Sequence, residues 1–218
     1  MNPNNQYTEK LKKAIKYKAI IVIDAANLER SVQDMWVNPK EIPDDLKEHF
    51  HDQLCWRVDY EKFKAFFKQL CDLQNIWFYS ASFDTERHKK FLLFLKRKLG
   101  FRIRTKPLKK YDDHTENHPH RKANFDVEIA VDTVEHLSHF DSFLLFSGDC
   151  DFEYLLKYLR GKSKIVIVLS HTGHVAKELP PASNHYFDII DFRHEILKIE
   201  VKKAKNPPKL GDSAVDRR

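Results

Sequence analysis

Apolar and polar positions follow two rhythms along this chain. Dense apolar runs lie in "KAIIVID" (Ala19 to Ile23), "NIWFYSASF" (centred on Ile76 to Tyr79), "FRIRTKP", "SFLLFSGD" and "KIVIVLS". Runs of this length and β-rich content read as strands, and "HYFDIIDF" is a sixth, shorter candidate. Between them the period lengthens. Tyr60, Phe63, Phe66, Phe67 and Leu70 recur at helical spacing behind Asp59, a good N-cap. A second helical stretch runs from Thr85 to Gly100, a third opens at Asn124, and a fourth runs from Asp151 into Gly161. Strand and helix alternate through most of the chain. The pattern predicts an α/β, three-layer fold with a mostly parallel central sheet of five or six strands flanked by helices.

Three stretches break the alternation and set the expected organisation. Residues 1–17 form a basic helical extension, and residues 18–197 form the domain. Within it, 35–57 carries two prolines and apolar residues and is too long for an ordinary connection. It reads as an insertion, a lid or a surface for a homodimer or protein partner. Residues 107–121 are polar and proline-broken, a mobile loop whose His114, His118 and His120 read as solvated. Residues 198–218 read as a basic, disordered tail.

Composition narrows the function classes. With 42% hydrophobic residues, 218 residues suit one domain with a real core. No apolar run approaches the ~18 residues of a membrane span, and the start lacks a signal segment, so a cytoplasmic protein with no membrane partner is expected. Cys55, Cys71 and Cys150 form no Cys-x-x-Cys pair, and the acids flanking Cys150 disfavour a thiolate nucleophile. The net charge of +6 is modest, but "KLKKAIKYK", "RTKPLKK" and "KKAKNPPK" concentrate it. A basic surround with acids in apolar contexts suits a phosphate-rich substrate; solvated lysine faces are the plain alternative.

The acids decide the chemistry. Asp24 ends the first strand, and Asp149 and Asp151 follow the fourth, about 125 residues later. In an open parallel sheet the carboxyl ends of strands share one edge, where ligands bind. Asp126, in the first turn of its helix, reaches that edge if the helix runs back antiparallel to its strand, and Asn27 lies three residues after Asp24. Clustered carboxylates repel one another unless a cation lies among them. Oxygen ligands without histidine or cysteine point to Mg²⁺ or Mn²⁺, which suits phosphodiester hydrolysis. Taken singly, Asp24, Asp149 and Asp151 are also good helix caps, and Asp126 suits a helix N-terminus. Asp132 lies ~9 Å further along the axis than Asp126 and reads as a supporting or structural residue. Ser147 and Gly148 let backbone approach a phosphate.

Three blocks, "IVIDAANL", "RKANFDVEIAVDTV" and "LLFSGDCDFEYLLKYLRGKSKIVIV", resemble the NYN family of PIN-like ribonucleases, in particular its LabA-like branch. They span roughly residues 20–190 in the family's order, with "KANFDV" where the family usually shows "KGVDV". The resemblance implies a divalent-metal-dependent endoribonuclease. Its metal ligands would be Asp24, Asp126, Asp149 and Asp151, with Asn27 beside them in the catalytic group. Arg121, Lys122, Ser147, Lys106, Lys109 and Lys110 would contact RNA, single-stranded by analogy, with Tyr111 available for stacking. A nucleic-acid-binding module that keeps the fold and cuts nothing is the alternative. "DAANLERS" lacks the Asp-x-Asp of dehalogenase-type phosphatases, the acidic pair of receiver domains and the glycines of a dinucleotide turn.

Overall fold

The computed structural model describes residues 3–107, 109–111 and 120–202. In chain order the helices and strands are α1 (Pro3–Ala14), β1 (Lys18–Asp24), α2 (Ala25–Gln33), β2 (Leu54–Val58), α3 (Tyr60–Leu70), β3 (Asp72–Ser82) and α4 (Glu86–Arg97). There follow β4 (Arg102–Pro107), β5 (Lys109–Tyr111), β6 (His120–Lys122), α5 (Asp126–Glu135), β7 (Ser142–Phe146) and α6 (Glu153–Gly161). The chain continues through β8 (Ile165–Ser170), α7 (Leu179–Ala182), β9 (His185–Asp188), α8 (Arg193–Ile196) and β10 (Leu197–Val201).

Six strands form one parallel sheet in the order β4-β3-β1-β7-β8-β9. They are the six runs the hydrophobic pattern picked out. The chain builds outward from β1 through β3 to β4, then returns to lay β7 on the other side of β1. That reversal makes the carboxyl ends of β1 and β7 a topological switch point, the place where open α/β sheets bind ligands.

Side chains alternate between two cores. Ile21, Ile23, Leu144 and Phe146 face one, with Phe63 and Phe67 of α3; Ile20, Val22, Phe143 and Leu145 face the other, with Ile129 of α5 and Leu156 of α6. Both faces of the central strands are therefore buried, which is why these strands read as unbroken apolar runs. Asp59 caps α3 by accepting the amides of Glu61 and Lys62, and Gly100 leaves α4 at φ +68°, a left-handed conformation that suits glycine.

The 35–57 segment is anchored rather than loose. Met35, Val37 and Trp56 are buried, Glu41 pairs with Arg193 at 2.6 Å, and β2 pairs antiparallel with β10. Residues 198–201, expected to open a disordered tail, thus belong to a strand whose Leu197 and Ile199 point inward. The rest of that tail, 203–218, lies outside the described residues, as do His114 and His118. The ends of the polar loop pair as an antiparallel β5–β6 ribbon. Among the described residues no helix is long and apolar enough to cross a membrane.

Candidate nuclease site

The switch point holds a cleft of about 230 Å³, lined by Asp24, Asn27, Arg30, Tyr79, Asp126 and Asp149 among others. Each acid arrives on a different element. Asp24 is the last residue of β1 and caps α2, accepting the Asn27 amide at 3.4 Å; its other oxygen accepts the Ser147 hydroxyl at 3.3 Å. Asp126 is the first residue of α5, its amide held by the Asn124 side chain at 2.9 Å. The sequence suggested Asn124 as the cap, but the N-cap is Phe125, and the Asn124 side chain instead holds the first helical amide. Asp149 and Asp151 sit in the loop after β7, which ends at Phe146, and Asp149 accepts the Asp151 amide at 3.2 Å.

These two aspartates differ in their surroundings. Asp149 both caps a short 3₁₀ turn and lines the cleft, whereas Asp151 is exposed at its rim.

The loop is pinned to β1 by local hydrogen bonds. Asn27 Oδ1 accepts the Gly148 amide at 2.8 Å, and the buried Ser147 hydroxyl accepts the Asp149 amide at 3.3 Å. Asn27 is therefore a staple between α2 and the acidic loop, with its amide nitrogen left for the cleft. Gly148 has no space for a side chain, since an added Cβ would lie 1.8 Å from the carbonyl oxygen of His174. Only glycine lets the loop after β8 lie on the acidic turn.

Electrostatics set this cluster apart. Burial, then the charges of Asp126 and Asp149, raise the Asp24 pKa from 3.8 to about 6 against the opposing pull of its hydrogen bonds. Burial also raises Asp126, as do Asp149 and Asp151. Among the described residues neither acid forms a salt bridge, and no cation is among the leading influences on either. Carboxylate oxygens with an amide beside them, in mutual repulsion, fit a hard divalent cation. The ligand atoms of Asp149, Cys150 and Asp151 lie within 4.8 Å of one another. Desolvation and the flanking acids raise the Cys150 thiol, so in this group the carboxylates are the suitable hard-ion donors.

The other expected residues fall in two groups. Lys106 is already engaged: its ammonium donates to the Asn124 carbonyl at 2.9 Å and pairs with Glu128, bracing the segment that enters α5. Ser147 is buried and bonded to Asp24, a support of the loop. The backbone register pairs Lys109 with Lys122 and Lys110 with Arg121, so these basic residues share one ribbon that leads directly into the cleft wall at Ala123.

Asp132 stands apart. It accepts the Tyr79 hydroxyl at 2.8 Å and a two-pronged guanidinium contact from Arg104 at 2.7 and 2.6 Å. Arg30 was missed by sequence reasoning, yet it lies one turn beyond Asn27 on the same face of α2, a spacing that could have found it.

Comparison with known proteins agrees with this architecture. The NYN domain family model matches residues 18–191. The chain is 36% identical to low amplitude and bright protein LabA of Synechococcus elongatus over 130 residues, 59% of this chain and 69% of that protein. A protein of unknown function from Vibrio parahaemolyticus superposes with a TM-score of 0.61 at 22% identity, covering 84% of this chain and 97% of that one, which is a likeness of fold.

Proposed function

The chain belongs to the NYN domain family, a PIN-like nuclease family, and from that premise we propose that it is a divalent-metal-dependent ribonuclease that hydrolyses RNA phosphodiesters in the acidic cleft. The observation that carries the reading is the raised pKa of Asp24 beside Asp126 and Asp149, at the switch point of the sheet, with no salt bridge to it among the described residues. Such a cluster destabilises the empty fold and gains from a bound ion.

In this reading Asp24, Asp126 and Asp149 hold Mg²⁺ or Mn²⁺. When bound, such an ion supplies positive charge to a scissile phosphate and makes water a better acid. Asp151, exposed at the rim beside Asp126, accepts a proton from the attacking water or orients it. The Asn27 amide nitrogen donates to a phosphate oxygen or to the same water. Arg30, on the cleft wall, offers a guanidinium to the phosphate. Arg121, Lys122, Lys109 and Lys110 extend the phosphate contacts along the ribbon.

The test is cleavage of a labelled single-stranded RNA with Mn²⁺, Mg²⁺ or EDTA, by wild type and Asp149→Asn. Metal-dependent cutting that vanishes in the variant is the expected result. Intact RNA that both proteins retard equally on a gel would overturn it in favour of a non-cutting, RNA-binding module.

A further inference from the structure

A second depression adjoins the acidic cleft. It has about 470 Å³ of space, is bounded by α2, the start of α4 and the β2–β10 ribbon, and shares Ser80 and Phe83 with the cleft. The two hollows therefore form one path, with Phe83 between them.

Its lining has the makings of a nucleic-acid groove. The Phe83 ring is 47% exposed and is braced edge-on by the His88 ring, with centroids 5.0 Å apart. The arginines are free. Arg102, Arg104, Arg160 and Arg193 all hold hydrogen-bond partners, whereas among the described residues Arg57 and Arg87 in this groove and Arg30 in the cleft have none. Of the groove's acids, Glu200 pairs with Lys198 at 2.8 Å. The buried Tyr60 hydroxyl, on the groove wall, has no hydrogen-bond partner among the described residues. An exposed ring, uncommitted guanidinium groups and an unsatisfied hydroxyl together suit a base and its phosphates.

We propose that this groove binds the single-stranded segment flanking the scissile phosphate. A base stacks on Phe83, and Arg57 and Arg87 contact the backbone phosphates beyond it. The inference rests on the cleft being a nuclease site and gives that site a strand path. The path depends on β2 and β10, so the 35–57 segment serves the substrate rather than only the fold.

The test is fluorescence anisotropy with short labelled single-stranded RNA and DNA in EDTA, so that no cutting intervenes. Phe83→Ala is expected to weaken binding about tenfold. Arg57→Ala with Arg87→Ala is expected to flatten the salt dependence by about 1.4 logarithmic units per decade of salt, two phosphate contacts' worth. Arg97→Ala removes an exposed cation from α4 outside both hollows and serves as the control. Melting curves confirm that each variant folds, and Arg87→Ala alone repeats the test should the half-buried Arg57 prove structural.

Groove variants that bind like wild type and Arg97→Ala overturn the proposal, as does wild type that binds neither strand at low salt. Cleavage assays on the same preparations separate the two readings. Cutting with unaltered binding by the groove variants removes the groove alone; weakened binding without any cutting removes the nuclease alone.

Discussion

Asp24 and Asp132 both sit beside the sheet, and both are largely withdrawn from water, yet their surroundings are opposites. Asp132 receives three short hydrogen bonds, two of them from the Arg104 guanidinium. Asp24 receives two long ones, at 3.3 and 3.4 Å, and faces two further carboxylates. Tyr79 touches both environments, lining the cleft with its body and donating its hydroxyl to Asp132. The fold thus knows how to neutralise a buried acid and does so on one side of this tyrosine. On the other side it leaves the charge unmet, and the difference marks the second acid as a site for something brought from outside.

The two acids should differ most in chemistry. Asp149→Asn is expected to lower RNA cleavage by about a thousandfold, some 4 kcal/mol, while Asp132→Asn leaves the turnover of folded enzyme within a few-fold of wild type. Rates measured per folded molecule check both.

Next in size is the loop that carries Asp149. Gly148→Ala forces a methyl group against a backbone oxygen, which cannot move as a side-chain end can. A loss of about 3 kcal/mol in stability is expected, read from denaturant unfolding, with weakened metal binding even where the chain still folds.

The two aspartates should then separate by sign. Asp132→Ala strands the buried Tyr79 hydroxyl and the Arg104 guanidinium and is expected to cost about 2–3 kcal/mol. Asp24→Asn removes an acid whose charged form the metal-free fold disfavours and is expected to stabilise that fold by about 1–3 kcal/mol at neutral pH. Paired unfolding curves in EDTA would show the opposite shifts.

The same carboxyl sets a pH dependence. The folded pKa of Asp24, about 6, lies above its ordinary 3.8, so between these values the folded chain binds more protons than the unfolded one. Its contribution to stability therefore falls as pH rises from about 4 to about 6 and is flat on either side. Asp24→Asn should lose that slope, which unfolding measured across the range would detect.

Much of this was readable before any coordinates. Strands β1, β7 and β8 announced themselves because burial on both faces makes each run continuously apolar, and Asp24, Asp149 and Asp151 were visible as acids placed where such strands end. What stayed hidden depends on distant pairings. β2 and β10 are short and half-buried, and they pair across some 140 residues of chain, so neither shows a strong local pattern. Asp132 could be excluded from the cluster by its place along the helix, but its Arg104 partner comes from β4, which no local spacing reveals. Lys106 read as a phosphate contact because its charge was visible and its bond to Glu128 was not.

The charge left unmet around Asp24 is read here as reserved for a divalent cation. Thermal melting with and without Mn²⁺, on wild type and Asp24→Asn side by side, tests it most directly. Mn²⁺ is expected to raise the melting temperature of wild type and to leave that of Asp24→Asn, already higher in EDTA, unchanged. A wild type indifferent to Mn²⁺, or a variant that responds as strongly, would contradict it.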